Sequence, residues 1–380
     1  MASKHETTVL HLRSSGAMLG AENVVIELAS LSKQYNIRSI IGVPLLDTDS
    51  TPEFIHRIQA LGLELRVFRY KSVFSLSLAK DIKDYVKKEG IDIVHSHGYQ
   101  ENFYSYFGRH KAALIATNHL WKRTTFKLKI YALIDSFILS YFNHVIAVSK
   151  AIQNEMIKAG LNKNKISIIA NGVNLDKFEI NKHNINNEFN IRTYLNLSNS
   201  AFLFGMVSSL TVEKGHKYAI EALKNCLNTY QGDAYLIIIG GGEEKTNLLE
   251  IVKDHKLEKN VFFLGSRSDI PNLLPQFDAF MLSSLIEGLP ISLLEAMASK
   301  LPVISTDVGD ITTVITNNNN GFLVPSKDIP KLSEKMLLLL KDESIRKKFS
   351  INGHQTIRDN FSSNKMTKHH CDIYRGVNTK

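Results

Sequence analysis

Short apolar runs alternate with longer segments of helical periodicity along most of this chain. The runs include Val9–Leu12, Ser39–Leu46 and Asp92–His97, and they are separated by segments such as Glu22–Tyr35 and Leu76–Lys88. The separating segments repeat apolar residues every three to four positions, as amphipathic helices do. Strands that are apolar throughout are buried on both faces, which is typical of parallel sheets covered by helices. The pattern therefore predicts an α/β fold built from βαβ units.

An asparagine-rich stretch with weak periodicity interrupts the alternation at residues 181–200, and strands such as Phe202–Val207 then resume it. The chain has 380 residues, which suits two or three domains of about 150 residues each. We expect two doubly wound, Rossmann-like domains in tandem, over residues 1–180 and 181–345. Ligands of such sheets bind beyond the carboxyl ends of the strands. Two sheets facing each other would thus make a cleft lined by strand-to-helix turns.

The net charge of +9 is unevenly distributed. Residues 1–180 hold 23 basic and 16 acidic residues, a net of +7, and the remaining residues contribute only +2. A basic first half favours an anionic partner such as nucleic acid, an acidic polymer or a lipid surface. Surplus surface lysines on a soluble protein explain the charge equally well.

Two cysteines, Cys226 and Cys371, are too few for a disulfide framework or a cysteine-based metal site. The first residues lack the apolar core and small-residue cleavage site of a signal peptide. No apolar run of about 18 residues is present either, so we expect no membrane-spanning helix and a reducing, cytoplasmic location.

The segment S-S-L-I-E-G-L-P-I-S-L-L-E places carboxylates on both sides of a helix start. Gly288 and Leu289 lead into the helix, and Pro290 suits its first position because proline lacks an N–H. The backbone N–H groups near Leu289 and Ile291, at the positive end of the helix dipole, form a candidate phosphate site. Glu287 and Glu295 could then bind hydroxyl groups beside the phosphates. Each glutamate could also be a helix cap or a solvated residue.

Two further turns can approach a phosphate. Lys214 and Gly215 follow a predicted strand and precede a helix, where a lysine can neutralise a diphosphate, although a lone lysine is more often solvated. Gly16 and Gly20 follow the first strand, in a loop that suits ligand approach or a plain turn.

Two histidines end the fourth predicted strand. His95 and His97 share one strand face because their spacing is two, and Asn118 and His119 end the next strand. A third metal ligand is not evident, so hydrogen bonding or acid–base chemistry is favoured over a metal site.

At this point the residues resemble a known family. The segment E-G-L-P-I-S-L-L-E-A-M-A-S-K-L-P-V-I-S-T-D-V-G-D resembles the E-x7-E signature of family 4 glycosyltransferases, which have the GT-B fold. H-S-H-G, A-V-S-K-A-I, I-A-N-G-V-N-L-D-K-F, E-K-G-H, G-G-G-E-E and N-G-F-L-V-P are similar to other family segments and follow in the family's order.

The resemblance implies a retaining transferase that moves a sugar from a nucleotide-diphosphate donor, such as a UDP- or GDP-sugar, without a metal or other cofactor. The acceptor would be a glycan or a lipid-linked saccharide, bound by the N-terminal domain. The C-terminal domain would hold the donor, and residues 346–380 would return to the first domain. The Asn-, Lys- and Ile-rich composition is typical of AT-rich bacterial genomes, which favours cell-envelope polysaccharide or lipopolysaccharide synthesis.

The resemblance also implies residue roles by matching position. Glu295 would bind the ribose hydroxyls, Glu287 and His97 would contact the donor sugar, and Lys214 would bind the diphosphate. The backbone of Gly288, Leu289, Pro290 and Ile291 would also bind the diphosphate, with Gly16 near the phosphates, and Asn118 and His119 would stand on the acceptor side.

One position departs from the family pattern. Ser209 stands where the family usually has an arginine, so one cation for the diphosphate is missing. Arg267, in the turn G-S-R-S-D, could replace it, or donor affinity could be weak. Lys214 and the helix N-terminus would then stabilise the leaving diphosphate. In the front-face route implied by the family, the departing phosphate accepts the acceptor's proton.

Residues 121–130 interleave basic and apolar side chains, so they could lie on an anionic bilayer at the inner face of the plasma membrane, or form an ordinary helix with solvated lysines. Three alternative functions remain: a nucleotide-sugar 2-epimerase, a catalytically inactive sugar-nucleotide binder, and a nucleic-acid binder. We expect no nucleic-acid partner, because the sequence shows no zinc finger, RNA-recognition or helix-turn-helix signature.

Overall fold

A computed structural model of the chain describes residues 6–14, 20–72, 75–118, 126–178 and 189–378. The chain divides into two compact units, one comprising Met1–Gly172 with Ser363–Lys380 and the other Val173–Ser362. Each unit contains one parallel sheet with helices between successive strands, as the apolar alternation predicts. In the described ranges, no helix combines the length and the apolar character needed to cross a bilayer.

The first unit has a seven-stranded sheet in the order β3-β2-β1-β4-β5-β6-β7, in which all neighbouring strands are parallel. Its strands are β1 Thr7–Leu12, β2 Ile37–Leu46, β3 Glu64–Tyr70, β4 Ile93–Ser96, β5 Ala113–Asn118, β6 His144–Ala147 and β7 Ile166–Ile168. Its helices are α1 Gly20–Ser32, α2 Glu53–Ala60, α3 Leu76–Glu89, α4 Tyr99–Gly108, α5 Phe126–Ser140 and α6 Lys150–Lys158.

The second unit has a six-stranded parallel sheet in the order β10-β9-β8-β11-β12-β13. Its strands are β8 Phe202–Val207, β9 Ala234–Ile239, β10 Val261–Gly265, β11 Ala279–Leu282, β12 Val303–Thr306 and β13 Phe322–Val324. Its helices are α7 Ile191–Tyr194, α8 His216–Leu227, α9 Lys245–Asp254, α10 Ile270–Leu273, α11 Ile291–Ala298, α12 Ile329–Lys341 and α13 Glu343–Asn360.

Central strands are buried on both faces, which explains why their sequences are largely apolar. Every residue of β1, β4, β11 and β12 is buried. Edge strand β3 instead alternates between exposed and partly covered positions over Glu64–Val67. Side-chain caps begin several helices, because Ser75 and Ser149 accept hydrogen bonds from backbone N–H groups three residues later.

The last helix, α14 Ser363–Asn378, lies against α1 and β1 of the first unit. The segment that returns to this unit thus begins at Ser363, later than the expected residue 346. Helix α13 stays with the second unit because Phe349 is buried in that unit's core and His354 Nδ1 lies 2.9 Å from the carbonyl oxygen of Ala298. Likewise, the first division falls between Gly172 and Val173 rather than at residue 180.

Both sheets reverse their strand order once near the middle. The reversal lies between β1 and β4 in the first unit and between β8 and β11 in the second. Helices that leave two such strands run to opposite faces of the sheet, so the turns after the strands open a crevice. The turns that follow β1, β4, β8 and β11 contain most of the residues that the sequence singles out.

Candidate functional site

A partly buried ion pair lies at the strand-order reversal of the second unit. Lys214 Nζ, in the turn after β8, donates to both carboxylate oxygens of Glu287, at 2.7 and 2.8 Å. Glu287 follows β11, and its side chain is only 6% exposed, against 24% for Lys214. The Ser284 hydroxyl donates a third hydrogen bond to this carboxylate, at 2.7 Å. The two predicted site residues are thus in direct contact, with their charges balanced.

Backbone contacts between the two turns hold this pair. The N–H of Leu285 donates to the carbonyl of Glu213 at 2.7 Å, and the Ser283 hydroxyl donates to the carbonyl of Gly215 at 2.9 Å. Gly215 has a φ of +62°, and a Cβ at this position would lie 2.2 Å from the carbonyl oxygen of Ser283. Glycine is therefore required here so that the turn carrying Lys214 can dock beside Glu287.

The turn after Glu287 packs closely against the loop that follows β12. A Cβ on Gly309, which has a φ of +60°, would lie 2.2 Å from the carbonyl oxygen of Glu287. Gly288, Leu289 and Pro290 are buried in this turn. Helix α11 begins at Ile291, and Pro290 is the extended residue just before it, so the expectation that Pro290 is the first helical residue is wrong. Its fixed φ suits this extended cap as well.

Three other predicted donor-site residues lie in the second unit. Glu295 is partly buried within α11. Ser209 is partly buried just after β8, where its carbonyl accepts a hydrogen bond from the N–H of Thr211. Arg267 forms two hydrogen bonds with the Asp269 carboxylate, at 2.8 and 2.6 Å, and this pairing raises the pKa of Arg267 and lowers that of Asp269. Arg267 is thus already engaged, and serving a phosphate would require it to leave or share Asp269.

His216 is a further polar residue of this site that the sequence interpretation did not include. It follows Gly215 directly, and its Nε2 lies 2.9 Å from the Ser208 hydroxyl. Burial and the neighbouring Lys214 lower the pKa of His216 to about 4. The imidazole is therefore uncharged near pH 7, and Lys214 provides the positive charge on this turn. The position of His216 directly after Lys214 and Gly215 is the sequence signal that could have identified it.

In the first unit, Arg13 links the turns after β1 and β4. Its guanidinium donates to the Glu22 carboxylate at 2.8 Å and to the backbone carbonyl of His97 at 2.5 Å. Glu101, at the start of α4, accepts hydrogen bonds from the N–H and the hydroxyl of Ser14. Glu22 and Glu101 are both buried. The sequence analysis assigned Glu22 and Glu101 no role, because their contacts with Arg13 and Ser14 form only when the chain has folded.

A cluster of buried histidines lies beside these turns. His11 on β1 is in register with His95 on β4, and His11 Nδ1 lies 3.4 Å from His97 Nε2. One ring nitrogen from each of His11, His95 and His97 lies within 4.8 Å of the other two, a spacing at which a transition-metal ion could be bound. However, both nitrogens of His95 already lie 2.7 Å from hydroxyl groups, those of Tyr374 and Thr117. The sequence analysis identified His95 and His97 as candidates, whereas the proximity of His11 becomes visible only once β1 pairs with β4.

Asn118 ends β5 and is partly buried, with its carbonyl accepting a hydrogen bond from the N–H of Val148. Gly16 and His119 lie outside the described residues, as do residues 121–125 of the predicted membrane segment.

Family models match both units of the chain. Residues 18–177 match the family described as Glycosyltransferase Family 4, and residues 187–356 match that described as Glycosyl transferases group 1. The first match covers strands β2 to β7, and the second covers the whole second sheet with the ion pair and α11.

Named relatives extend over most of the chain. It is 30% identical to an Escherichia coli UDP-Gal:alpha-D-GlcNAc-diphosphoundecaprenol alpha-1,3-galactosyltransferase, over 319 residues that cover 79% of this chain and 81% of the relative. It is 26% identical to a Campylobacter jejuni enzyme, N,N'-diacetylbacillosaminyl-diphospho-undecaprenol alpha-1,3-N-acetylgalactosaminyltransferase, over 86% of this chain and 89% of that one.

Solved structures show the same fold at lower identity. Anabaena HepE in complex with UDP-glucose superimposes with a TM-score of 0.84 at 22% identity, covering 97% of this chain and 99% of that one. Sucrose-phosphate synthase from Thermosynechococcus elongatus superimposes with a TM-score of 0.79 at 16% identity, covering 98% and 99%. The GT-B architecture is therefore confirmed. With the E. coli relative matched over four-fifths of its length, the chain belongs to family 4 of the glycosyltransferases.

Proposed function

We propose that this glycosyltransferase moves a sugar, with retention of anomeric configuration, from a UDP- or GDP-sugar to a lipid-linked saccharide during synthesis of a cell-envelope polysaccharide or lipopolysaccharide. The observation that carries the proposal is the Lys214–Glu287 pair at the strand-order reversal of the second unit. The names of the E. coli and C. jejuni relatives support a lipid-diphosphate acceptor, and that of the E. coli relative supports a UDP-sugar.

The second unit would bind the donor. The Lys214 ammonium would share its hydrogen bonds between Glu287 and the diphosphate. The N–H groups at the start of α11, at the positive end of the helix dipole, would also bind the diphosphate. Glu295 would accept hydrogen bonds from the ribose hydroxyls, and Glu287 would do so from the sugar. Ser209 contributes no charge, so the diphosphate would depend on Lys214 and backbone groups unless Arg267 leaves Asp269.

Catalysis would rest on stabilising the leaving group. The bond between the anomeric carbon and the diphosphate oxygen breaks, and the nucleoside diphosphate leaves with the bonding electrons. The acceptor oxygen bonds to the same face of the sugar, and its proton passes to the departing phosphate oxygen. Lys214 and the α11 N-terminus would stabilise the charge that develops there, a task that elsewhere a metal ion performs. We therefore propose a metal-independent reaction without a cofactor.

The first unit would serve the acceptor. His97 would contact the transferred sugar, and Asn118 and His119 would stand on the acceptor side. Imidazole and amide groups suit this task because sugar hydroxyls both donate and accept hydrogen bonds.

We further propose that the protein works at the cytoplasmic face of the plasma membrane. Helix α5 exposes Leu133 by 70% and Phe137 by 65%, and Tyr141 follows one turn later with 50% exposure. Leu133 and Phe137 share one side of the helix because they are four residues apart, and Tyr141 continues this spacing just beyond the end of the helix. Together with the excess of basic residues in the first half of the chain, this apolar stripe fits an anionic lipid surface.

Calorimetric titration with UDP and with GDP tests the donor site. We expect one nucleotide to bind the wild-type protein, Glu295→Ala to lose that binding, and Glu250→Ala, an exposed glutamate on α9, to retain it. A panel of sugars on the preferred nucleotide, with polyprenol-diphosphate-linked GlcNAc as acceptor, then tests transfer. Donor turnover that is equal with and without acceptor would contradict a transferase, and absence of binding by both nucleotides would contradict the site.

Vesicle flotation tests the membrane surface. We expect binding to rise with the content of anionic lipid, and Leu133→Ser with Phe137→Ser to weaken it. Leu249→Ser, at a 46% exposed leucine of the second unit, is the matched control. Binding that does not depend on anionic lipid, or is unchanged in the double variant, would contradict the surface assignment.

A further inference from the structure

A cavity of about 600 Å³ opens at the carboxyl ends of the first three strands of the first unit. Ser14 lines it just after β1, the end of β2 and the loop over Thr48–Ser50 form its floor and one side, and Tyr70 lines it at the last position of β3. We call it the edge cavity, because β3 is the edge strand of the sheet. Its volume lies within the range of about 300–1,000 Å³ that is typical of small-molecule sites.

Tyr70 brings a free hydroxyl to the edge cavity. The residue is only 6% exposed and packs beside Tyr104, with 6.2 Å between the ring centroids. Among the described residues its hydroxyl has no hydrogen-bond partner, yet it is not one of the polar atoms that the fold closes off from water. Burial, with Tyr104, Glu101 and Asp49 nearby, raises the pKa of Tyr70, so the phenol stays protonated and can both donate and accept a hydrogen bond.

The charges around the edge cavity do not suit an anion. Of the described residues that line it, Asp49 is the charged one, and none is a lysine, an arginine or a histidine. A phosphate or diphosphate would require a cation here. Thr48, Asp49 and Ser50 are exposed to solvent, and their two hydroxyls and one carboxylate suit an uncharged ligand that carries many hydroxyl groups.

The rest of the wall is apolar. Pro44, Leu45 and Pro52 are buried residues that line the edge cavity together with Tyr70. A sugar ring has C–H groups that can pack on such a wall and hydroxyl groups that can bind the polar side. The combination of an aromatic ring, apolar residues, hydroxyls and one carboxylate therefore matches a saccharide better than a lipid chain or a nucleotide.

We propose that the edge cavity binds an uncharged saccharide, the sugar portion of the acceptor. This inference rests on the proposed transferase function, to which it adds a place for the acceptor sugar and the residues that hold it.

The position of the edge cavity in the sheet supports this assignment. The N–H of Ser14 donates to the Glu101 carboxylate at 2.6 Å, and Glu101 is a buried residue at the start of α4. The preceding residue, Arg13, donates to the backbone carbonyl of His97 at 2.5 Å. One wall of the cavity is thus bonded to the turn after β4, so a sugar bound there would lie beside the turn that is proposed to contact the transferred sugar.

Binding of a soluble lipid diphosphate, with and without a sugar, tests the edge cavity directly. The probes are farnesyl diphosphate and its GlcNAc, GalNAc and galactose derivatives, titrated calorimetrically in the absence of a donor. We expect at least one sugar to tighten binding by about tenfold or more, the value of two hydrogen bonds. Ser50→Trp, which fills the cavity from its exposed loop, should remove this gain and leave the affinity for farnesyl diphosphate unchanged. Thr51→Trp, at the next exposed position and outside the lining, is the matched control.

Two conservative substitutions test individual contacts. Tyr70→Phe removes only the hydroxyl, and Asp49→Asn removes only the charge. Each should reduce the gain from the sugar by about 3- to 10-fold, the value of one hydrogen bond. Tyr85→Phe, at a partly buried tyrosine packed on the same core, and Asp47→Asn, at an exposed aspartate of the same loop, lie outside the lining and should retain the gain.

Transfer kinetics separate a lost sugar contact from general damage. With an acceptor that supports turnover, Tyr70→Phe and Asp49→Asn should raise the KM for the acceptor by the same factors. The KM for the donor and the Kd for the nucleotide should stay within about twofold of wild type, whereas a distorted fold would change all three.

Equal affinity for farnesyl diphosphate with and without each of the sugars would overturn the proposal, as would a gain that survives Ser50→Trp. A loss of nucleotide affinity in Ser50→Trp would also overturn it, because the effect would then extend beyond the edge cavity. If no nucleotide binds the wild-type protein, the proposed function fails, but the gain from the sugar still decides whether the edge cavity holds a saccharide.

Discussion

Removing the charge of Lys214 and removing that of Glu287 should have unequal effects on stability and on nucleotide affinity. We compare Lys214→Met with Glu287→Gln, which remove one charge each while keeping a side chain of similar length. In the structure the ammonium contacts both carboxylate oxygens, and the glutamate is much the more buried of the two. Loss of the lysine therefore leaves the buried Glu287 carboxylate without its cation, whereas loss of the glutamate charge leaves an ammonium that water can reach.

The magnitudes follow from this geometry. Lys214→Met leaves Glu287 with the Ser284 hydroxyl, and we expect a loss of about 2–3 kcal/mol in unfolding free energy, below the range for a fully buried pair because Lys214 is partly exposed. Glu287→Gln should cost roughly 1 kcal/mol or less. For nucleotide binding, loss of one charge-assisted bond to the diphosphate corresponds to about 10- to 150-fold weaker affinity in Lys214→Met.

Glu287→Gln should behave in the opposite way. It removes a carboxylate that competes with the diphosphate for the same ammonium, so the nucleoside diphosphate should bind as tightly as to wild type or up to about fivefold more tightly. Sugar transfer should nevertheless fall, because the proposed contact with the sugar is lost.

Calorimetric titration of the preferred nucleotide measures the affinities, and urea unfolding measures the stabilities. Lys253→Met and Glu250→Gln, at exposed positions of α9, control for the change in net charge. If Glu287→Gln weakens the nucleotide as much as Lys214→Met does, the carboxylate is not a competitor and the reasoning is refuted.

Three further predictions concern the glycine turn, acid and the thiols. Gly215→Ala should lower nucleotide affinity although Lys214 is kept, because the added Cβ would collide with the Ser283 carbonyl, and calorimetry that finds wild-type affinity would contradict this. Acid should destabilise the fold between pH 6.5 and about 4, because the unfolded chain protonates His216 near pH 6.5 and the folded chain only near pH 4. The loss of unfolding free energy from this residue reaches about 3 kcal/mol, and His216→Gln should reduce it. A urea midpoint that is constant across this pH range would disprove the prediction. Burial raises the pKa of Cys226 to about 12 and that of Cys371 to about 11, so a thiol reagent should modify both only after unfolding, and rapid labelling of the native protein would show the opposite.

The fold could be predicted from the sequence because its dominant signal is local. Strands such as Phe202–Val207 contain only apolar residues and glycine, and burial on both faces of a parallel sheet requires this. The unit boundary was harder to place. Helices α13 and α14 are both amphipathic, and only their packing reveals that Phe349 belongs to the second core and Tyr374 to the first.

The site was predicted less completely, for a physical reason. Lys214 and Glu287 were identified by the turns they occupy and by family resemblance, but their direct contact spans 73 residues and depends on the docking of Gly215. Glu22 looks like an ordinary residue of a helix's first turn until Arg13 is placed beside it. His11 lies within a mostly apolar strand, and the pairing of this strand with the distant β4, which puts His11 opposite His95, also brings it near His97.

The two strand-order reversals solve different chemical problems. In the second unit, the proposed ligand is a diphosphate, and the turns offer a lysine whose charge is balanced by Glu287 until an anion arrives. In the first unit, the proposed ligand is a sugar, and the nearby His11 and His370 are kept neutral by burial. A charged imidazole there could only donate hydrogen bonds, whereas a neutral one can donate from one nitrogen and accept at the other. The two groups of turns thus match the charge of the ligands proposed for them, because a diphosphate needs a cation, whereas an uncharged sugar needs groups that donate and accept hydrogen bonds.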